Sequence, residues 1–511
     1  MKPWLRLFIA TSAGTIAYLF VHSPLLVTLE SPLMAGAVVG LVAVLAAPSN
    51  LAILGAILAV ILGEIIDVIP AVEGGWHADH LLFGAAVAGG VAWGALRALR
   101  ASDYRMRGYL AAAGLALIIV GMVGVVIVNV QRPVWEDVSF MQMLQHEPEA
   151  FTYQADESIY MRTYALMHNH GLDYYSAAKK ARYESIYRAQ NVPGGAISYR
   201  LPAGYVAWSM FPGPSGVSII PLMLLIGTFA VLSAFVIGEH LVGVAPGLVA
   251  ATAVALFYGE IASNQASLHV EPWSAAMALG SLACVVLWRT SEPEHRRWLW
   301  AAAALAFASA SIRELGATAI VAGLIASYFA DPARRRANAI PWLASLGAFI
   351  VVYAGHYIAV GEGFLSNRVP GYWLQINLAR IVPVLSHGLS SVAGPPLVPI
   401  VLAFFACWAS LAQKDAVVRV WLMVGLVIPT VLYSLFGPAG TATFVVPDGV
   451  TAPVVNDLPG YWGGLVSPLL LTMAALAGPQ VVRLLKWRPS GAPVPQPIVA
   501  CAEEVELSPE S

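Results

Sequence analysis

Residues 216–238 read GVSIIPLMLLIGTFAVLSAFVIG, and this stretch decides the class of fold. It carries no charged side chain and is long enough to cross about 30 Å of hydrocarbon as an α-helix. Comparable apolar runs recur along the chain and predict an all-α polytopic membrane protein with about fourteen transmembrane helices. The expected spans are 7–29, 32–49, 51–70, 80–98, 108–130, 216–238, 244–262, 271–289, 298–312, 315–331, 340–360, 391–412, 419–437 and 461–481.

The composition supports a membrane protein. Hydrophobic residues make up 59% of the 511 positions and charged residues 11%, well below the roughly 25% of an average soluble protein. A net charge of −2 gives no reason to expect a nucleic-acid partner. The three cysteines, Cys284, Cys407 and Cys501, show neither a disulfide framework nor metal-ligand spacing, so no cofactor is expected from them.

The chain divides into four regions by hydropathy. They are N-terminal transmembrane helices in 1–130, a long loop in 131–215, a transmembrane bundle in 216–483, and a Pro- and Glu-rich tail in 484–511 that is expected to be disordered. The first apolar run follows Lys2 and Arg6 and is expected to remain as a membrane anchor.

The distribution of basic residues predicts the orientation. Seventeen Lys and Arg lie in segments expected on the same side as the N-terminus, against three in the short segments opposite, Arg313, Arg368 and Arg380. Short cytoplasmic loops carry the excess of basic residues. Both termini are therefore expected in the cytoplasm and the 131–215 loop outside it, in a multi-pass protein of a prokaryotic plasma membrane.

The long loop carries helical patterns. In 156–170, apolar and aromatic residues recur at helical spacing, and Asn169-His170-Gly171 supplies a stop. A second helix is expected over 173–190, and both are expected to lie along the membrane surface. The first stripe is Ile159, Tyr160, Thr163, Tyr164 and Met167, and the second is Tyr174, Ala177, Ala178, Ala181 and Ile186.

Two adjacent acids, Asp156 and Glu157, begin the first of these helices. The N-terminal end of a helix favours negative charge, so at least one carboxylate is expected to stay ionised and able to accept a proton. An N-cap beside a solvated neighbour explains the same pair equally well.

Three short motifs carry a resemblance to a known family. They are Ala155-Asp156-Glu157-Ser158-Ile159-Tyr160, Gly171-Leu172-Asp173-Tyr174-Tyr175 and Tyr199-Arg200-Leu201-Pro202. This order resembles the first extracytoplasmic loop of GT-C glycosyltransferases, in particular the protein O-mannosyltransferases and the lipid A aminoarabinose transferase. The resemblance implies an enzyme that uses a polyprenyl-phosphate-linked sugar, with Asp156 as catalytic base and Glu157 beside it.

The resemblance extends to two later clusters. In His269-Val270-Glu271-Pro272 an acid opens a span on the outer side, as it does in this family, and Glu271 is expected to act in catalysis. An acid that reaches into the headgroup layer is the alternative. In Ile312-Arg313-Glu314 the guanidinium is expected to hold the donor phosphate. A structural ion pair of Arg313 with Glu314 or with Glu271 is the alternative.

Further residues complete the expected site. His269 and Arg200 are expected to assist Arg313 at the phosphate, and the substrate-binding residues are expected to be Tyr160, Tyr199, Trp273 and Glu314. Two features depart from the family. About five spans precede the acidic loop where these relatives usually have one, and the late Arg-Tyr motif is not evident, although Asp457-Leu458-Pro459-Gly460-Tyr461-Trp462 occupies a comparable place. The resemblance covers roughly residues 131–330.

Other polar groups carry weaker predictions. Glu64 and Asp67 fit either a polar cavity or the interface, and His77, Asp79 and His80 have a metal-like composition without ligand spacing, so no metal is assigned. His168 and His170 are expected to face solvent. The aromatic residues Tyr372, Trp373, Tyr461 and Trp462 indicate the membrane interface.

The sequence thus predicts transfer of a sugar from a polyprenyl-phosphate donor to a hydroxyl of a protein, lipid or polysaccharide, with inversion at the anomeric carbon. A transporter or flippase for a lipid-linked glycan, and a polysaccharide polymerase or ligase, are the alternatives. A scaffold without catalysis leaves the acids and Arg313 unexplained.

Overall fold

The computed structural model of the chain describes the greater part of residues 104–485. The described ranges are 53–60, 104–131, 133–135, 138–145, 155–183, 199–211, 215–290, 296–330, 332–361, 375–376, 397–437, 443–445, 451–453 and 458–485, with scattered positions between 7 and 43. The spans expected before residue 98 lie largely outside these ranges. The tail from residue 486 and the sequence candidates Glu64, Asp67, His77, Asp79, His80, Ile186, Tyr372 and Trp373 lie outside them as well.

The region before the bundle is built from short elements that follow one long helix. In chain order these are α1 (Tyr104–Asn129), β1 (Pro133–Trp135), β2 (Val138–Ser139), α2 (Phe140–Gln145), α3 (Ala155–His170), α4 (Tyr174–Tyr183) and α5 (Ala203–Met210).

The bundle follows as a series of apolar helices. They are α6 (Ile219–Leu241), α7 (Val244–Ala262), α8 (Val270–Thr290), α9 (Arg297–Ile312), α10 (Ala317–Tyr328), α11 (Arg335–Val360), α12 (Leu397–Leu411), α13 (Ala416–Leu422), α14 (Ile428–Leu435) and α15 (Leu458–Leu485). A π-helical turn, Met423–Val427, joins α13 to α14.

Four of the described helices are long and apolar enough to cross a membrane: Gly216–Leu241, Val244–Ala262, Val270–Thr290 and Pro332–Val360. The chain is therefore a helical protein with membrane-capable spans. Other apolar helices of the described part, such as α9 and α10, are shorter, and they coincide with spans expected from hydropathy.

Three small strand pairs accompany the helices, and the described part of the chain remains all-helical in class, as the sequence predicts. β1 pairs with β2, β3 (Gln375–Ile376) with β4 (Phe436–Gly437), and β5 (Thr443–Val445) with β6 (Thr451–Pro453), all antiparallel. Strands of two or three residues are too short to show the alternation of apolar and polar residues by which a strand is recognised in a sequence. The pairing of β3 with β4 also joins segments far apart along the chain.

Helix α8 is the centre of the described bundle. Its apolar window is 89% buried, whereas that of α11 is 11% buried, which leaves α11 at the periphery. Helices α6, α9 and α15 pack around α8. A polar residue at the beginning of α8 therefore lies inside the protein.

Helices α6 and α7 form a hairpin whose backbones touch. A Cβ atom added at Gly238 would lie 2.4 Å from the Cα atom of Gly247, so neither position has room for a side chain. Gly243, in the turn between the two helices, has φ 139°, a conformation that favours glycine. Small residues at such a crossing allow close packing within a membrane.

Helices α3 and α4, called the surface helices here after their predicted position, form within the predicted ranges, although residues 184–190 of the second range lie outside the described residues. Their buried faces include Tyr164 and Ala177. Gly171 has φ 64° and ends α3 in the left-handed conformation, as the Asn-His-Gly stop predicts. Helix α4 is attached to the end of α11, because the Lys179 Nζ atom donates a hydrogen bond to the Ala359 carbonyl oxygen at 3.1 Å.

The two ends of the bundle differ in composition. Helix α8 carries Glu271 in its first turn and Arg289 in its last, and Arg289 forms an ion pair of 2.9 Å with Asp415. Helix α11 runs from Arg335 to the α4 contact at Ala359. Glu271 and the surface helices therefore lie at one end of these helices, and Arg289 and Arg335 lie at the other.

Candidate active site

Glu271 and Arg313 form a buried ion pair where α8 begins and α9 ends. The Arg313 Nε atom lies 2.8 Å from the Glu271 Oε1 atom, and the two side chains are 6% and 1% exposed. An acid is favoured in the first turn of a helix by the helix dipole, and a proline such as Pro272 is tolerated there because it lacks only an N–H that has no partner in the helix.

The geometry of this pair leaves the carboxylate without an aligned donor. Neither oxygen of Glu271 accepts a well-aligned hydrogen bond from another residue that the structure describes, because the Arg313 Nε–H, although 2.8 Å away, does not point along the line to the carboxylate. The Arg313 Nη1 group instead donates to the Glu314 Oε1 atom. A buried polar group without a hydrogen bond is costly, so both oxygens of Glu271 are suited to accept a donor from a ligand.

Two further basic residues act on the same carboxylate. Arg313, Arg200 and His269 all lie within range of electrostatic interaction with the Glu271 carboxylate. Arg200 comes from the segment before α5, and His269 immediately precedes α8. The sequence predicted these three basic residues as one phosphate-binding group, and the structure brings them together around Glu271.

A layer of tyrosines from the surface helices covers this charged cluster. The Tyr160 ring, on α3, meets the edge of His269 with centroids 5.8 Å apart, and the Arg200 Cζ atom lies 6.0 Å from the Tyr160 centroid. Tyr174 donates a hydrogen bond to the Arg200 carbonyl oxygen. The surface helices are therefore attached directly to the residues around Glu271.

Tyr205, on α5, completes the layer. Its ring centroid lies 5.9 Å from that of Tyr160 and 5.3 Å from that of Tyr174. Burial, reinforced by these two phenols, raises the pKa of Tyr205 well above its ordinary value, and Arg200 opposes the shift only in part. Tyr205 is thus a neutral hydroxyl at neutral pH.

Asp156 and Glu157 lie in the first turn of α3, and their side chains are outside the described residues. The backbone of Asp156 is one helical turn, about 6 Å, before Tyr160. Positions four apart share a face of a helix. Since Tyr160 contacts His269, the beginning of α3 lies next to the cluster around Glu271.

The remaining predicted substrate-binding residues occupy different positions. Trp273 is buried one turn from Val270, its Nε1–H donates to the Ser267 carbonyl oxygen at 3.0 Å, and its ring packs on Gly204. The Tyr199 ring lies 5.3 Å from the Arg182 Cζ atom. Glu314 is bound to Arg313 and so belongs to the cluster itself.

Two serines join the helices that carry the ion pair through reciprocal hydrogen bonds. The Ser274 and Ser309 hydroxyl oxygens are 2.9 Å apart, and each hydroxyl also reaches the carbonyl oxygen of the other residue. Gly316 leaves the space for this contact, because a Cβ atom there would lie 2.4 Å from the Ser309 Oγ atom. Helices α8 and α9 are thereby fixed one turn from Glu271 and Arg313.

Sequence reasoning missed several residues of the site, among them Tyr205, Ser274 and Ser309. Gly464 of α15 was also missed, although a Cβ atom there would lie 3.5 Å from the Glu271 Cβ atom. A signal existed for Gly464, since it lies two positions after Trp462, in the segment whose place is comparable to that of the late motif in the resembled family.

The two histidines at the end of α3 are exposed, as predicted, but His168 is also bonded. Its Nδ1 atom is 3.0 Å from the Ser209 carbonyl oxygen, and its ring stacks on Tyr164. Within the described ranges, His, Cys, Asp and Glu form no group of three that could hold a metal ion.

Comparisons with protein families, with characterised proteins and with solved structures give no match to this chain.

Proposed function

We propose that this chain is a glycosyltransferase that moves a sugar from a polyprenyl-phosphate donor to an acceptor hydroxyl at the membrane surface. The observation that carries the proposal is the buried Glu271 carboxylate, which is paired in charge with Arg313 but accepts no well-aligned hydrogen bond from another described residue. It lies at the end of a membrane-capable helix, where the reacting end of a lipid-linked sugar would be.

The reaction needs a base, a partner for the leaving phosphate and a group that orients the sugar. The acceptor hydroxyl loses its proton to Asp156 as its oxygen forms a bond to the anomeric carbon. The bond from that carbon to the phosphate oxygen breaks, and the electron pair leaves with the polyprenyl phosphate. A single displacement of this kind inverts the anomeric centre.

The basic residues supply the charge that the leaving group requires. Arg313, with Arg200 and His269 close by, stabilises the negative charge that develops on the phosphate. A guanidinium suits this role because it presents a planar set of donors to phosphate oxygens.

Glu271 has two functions in this scheme. Its charge keeps Arg313 in position within the bundle, and its oxygens, which accept no well-aligned hydrogen bond from another described residue, accept hydrogen bonds from the sugar or the acceptor. Tyr160 and Tyr205, whose ring centroids are 5.9 Å apart, belong to the layer that covers this cluster and can orient the same substrate.

The arrangement of charge favours surface chemistry over transport. In the bundle helices that the structure describes, the buried ion pair lies at one end of α8, whereas transporters hold substrates near the middle of the membrane. A polymerase or ligase would use the same face and is distinguished only by its lipid-linked oligosaccharide donor.

Donor use by purified protein in lipid vesicles tests the proposal. We expect a panel of radiolabelled polyprenyl-phosphate sugars to contain one that is consumed, and nucleotide sugars to be ignored. Consumption of only a lipid-linked oligosaccharide would support the polymerase or ligase. Passage of a lipid-linked glycan across the membrane without any transfer would support the flippase and overturn the proposal.

A further inference from the structure

A groove lies at the end of the bundle opposite Glu271. It has a volume of about 340 Å³ and is formed by the last turns of α10 and the first turns of α11. Its walls are apolar except for one basic side chain. The lining residues are Leu324, Ile325, Tyr328, Phe329, Arg335 and Ala339.

Arg335 is the charged residue of the groove. Its Cζ atom lies 4.3 Å from the Tyr328 ring centroid, so the guanidinium is held against the aromatic ring. The Nε atom is buried and has no hydrogen-bond partner in the described part of the chain, and no carboxylate there forms an ion pair with Arg335. The guanidinium therefore has unused capacity to bind an anion.

The surroundings of Arg335 increase the positive electrostatic potential at the groove. Arg335 is the first residue of α11, where the helix dipole favours negative charge, and the neighbouring Arg336 is exposed. Tyr328 and Phe329 are 62% and 54% exposed, as aromatic side chains at a membrane interface are. Charge and apolar surface thus meet at one place.

The groove is separate from the candidate active site. Helix α10 begins directly after Glu314–Gly316 and has 12 residues, so its last turn is roughly 18 Å from Arg313 along the axis. The groove is therefore not the binding site of the sugar donor's phosphate, and what binds there is independent of the proposed function.

We propose that this groove binds an anionic glycerophospholipid of the surrounding membrane. The phosphate is held by Arg335 at the beginning of α11, and an acyl chain lies along Leu324, Ile325 and Ala339. The volume is within the roughly 300–1,000 Å³ of small-molecule sites, and the apolar walls favour a lipid over a free phosphate ion. Basic pockets between membrane helices are suited to anionic headgroups.

Lipid-dependent thermal stabilisation of the full chain tests the site. We would measure the melting temperature of delipidated protein in neutral detergent while adding phosphatidylglycerol, phosphatidylcholine or inorganic phosphate. We expect a saturable rise with phosphatidylglycerol alone. Equal rises with phosphatidylglycerol and phosphatidylcholine, or a full effect of inorganic phosphate, would overturn the proposal.

Matched variants assign the effect to the groove. Arg335→Gln should weaken phosphatidylglycerol binding by roughly tenfold, the loss of one charge-assisted contact, whereas Arg336→Gln removes an equal charge outside the groove and should change it less than about twofold. Equal losses in the two variants would indicate diffuse surface attraction and contradict a built site.

A second variant keeps the test valid if Arg335→Gln folds poorly. Ala339→Phe fills the apolar part of the groove without altering charge, and it should also weaken phosphatidylglycerol binding. Unchanged binding in Ala339→Phe would contradict the placement of the acyl chain.

Discussion

At the scale of single residues, the buried pair of Glu271 and Arg313 raises the question of why the charges are retained. A buried ion pair is weak support for stability, because the desolvation of both ions offsets their attraction. Here the pair also lacks aligned hydrogen bonds among the described residues, which weakens it further. In the proposed function the reaction requires both charges, and this requirement would account for the pair.

Separating stability from activity tests this interpretation of the pair. Among the described residues, Glu271→Leu leaves the buried Arg313 with only Glu314 as an ion-pair partner, and we expect it to lower the unfolding free energy in detergent by about 3 kcal/mol and abolish transfer. The double variant Glu271→Leu with Arg313→Met removes both ions and should recover most of the stability while it stays inactive. Recovery of transfer in the double variant would show that the pair is only structural.

At the scale of elements, helix α4 depends on one cap. The Asp173 Oδ1 atom accepts hydrogen bonds from the backbone N–H groups of Tyr175 and Ser176 at 3.0 and 3.1 Å. Hydrogen bonds from Ser176, and then from Tyr175, hold the pKa of the Asp173 carboxyl below its ordinary value. A folded-state pKa below the unfolded value means that the cap stabilises α4 above about pH 4 and that this contribution is lost as the pH falls.

This cap gives a prediction with a pH dependence. Asp173→Ala should destabilise α4 by about 1 kcal/mol at pH 7, seen as faster hydrogen exchange of its amides. The difference from the wild type should vanish toward pH 2. Asp173→Asn keeps an acceptor and serves as control. A loss in Asp173→Ala that is the same at pH 2 and pH 7 would contradict the ionised cap.

The α6 and α7 crossing gives a second prediction for the elements. Gly238→Ala places a methyl group against the backbone of Gly247, so the helices must separate, and we expect a loss of about 1–3 kcal/mol in unfolding free energy. Gly347→Ala in α11 is the matched control, since a Cβ atom there meets nothing within 4 Å in the described part of the protein. Equal stability of the two variants would show that the crossing is looser than described.

The sequence predicted the elements better than their contacts. The bounds of helices such as α7 were predicted closely. A long apolar run bounded by polar residues satisfies its backbone hydrogen bonds in lipid by forming a helix. The sequence did not decide which residue pairs with Glu271. Arg313 lies 42 positions away, and a hydropathy pattern does not specify which distant residues are in contact. Tyr205 was missed for the same reason: its role arises only when α5 packs beside α3.

At the scale of the whole molecule, the polar features fall at opposite ends. The surface helices and Glu271 share one end, and the arginines at 289 and 334–336 share the other. The charge count in the sequence predicts that the arginine end faces the cytoplasm.

Labelling of introduced cysteines tests this orientation. With Cys501 replaced by Ser, we expect Lys180→Cys in α4 to react with a membrane-impermeant maleimide in intact cells. Arg336→Cys should react only after permeabilisation. Both positions are exposed in the structure, so accessibility within the protein does not limit either reaction. The reverse pattern would invert the topology and contradict an extracytoplasmic active site.

The most direct measurement of the central claim is donor consumption by Asp156→Asn beside Asp173→Asn. Each variant changes one carboxylate to an amide near the beginning of a surface helix, α3 in one case and α4 in the other. We predict that Asp156→Asn inserts and folds normally but loses at least about a hundredfold in transfer rate, as expected for a general base, while Asp173→Asn stays within about twofold of the wild type. Transfer by Asp156→Asn at a rate close to that of Asp173→Asn would contradict the proposed mechanism.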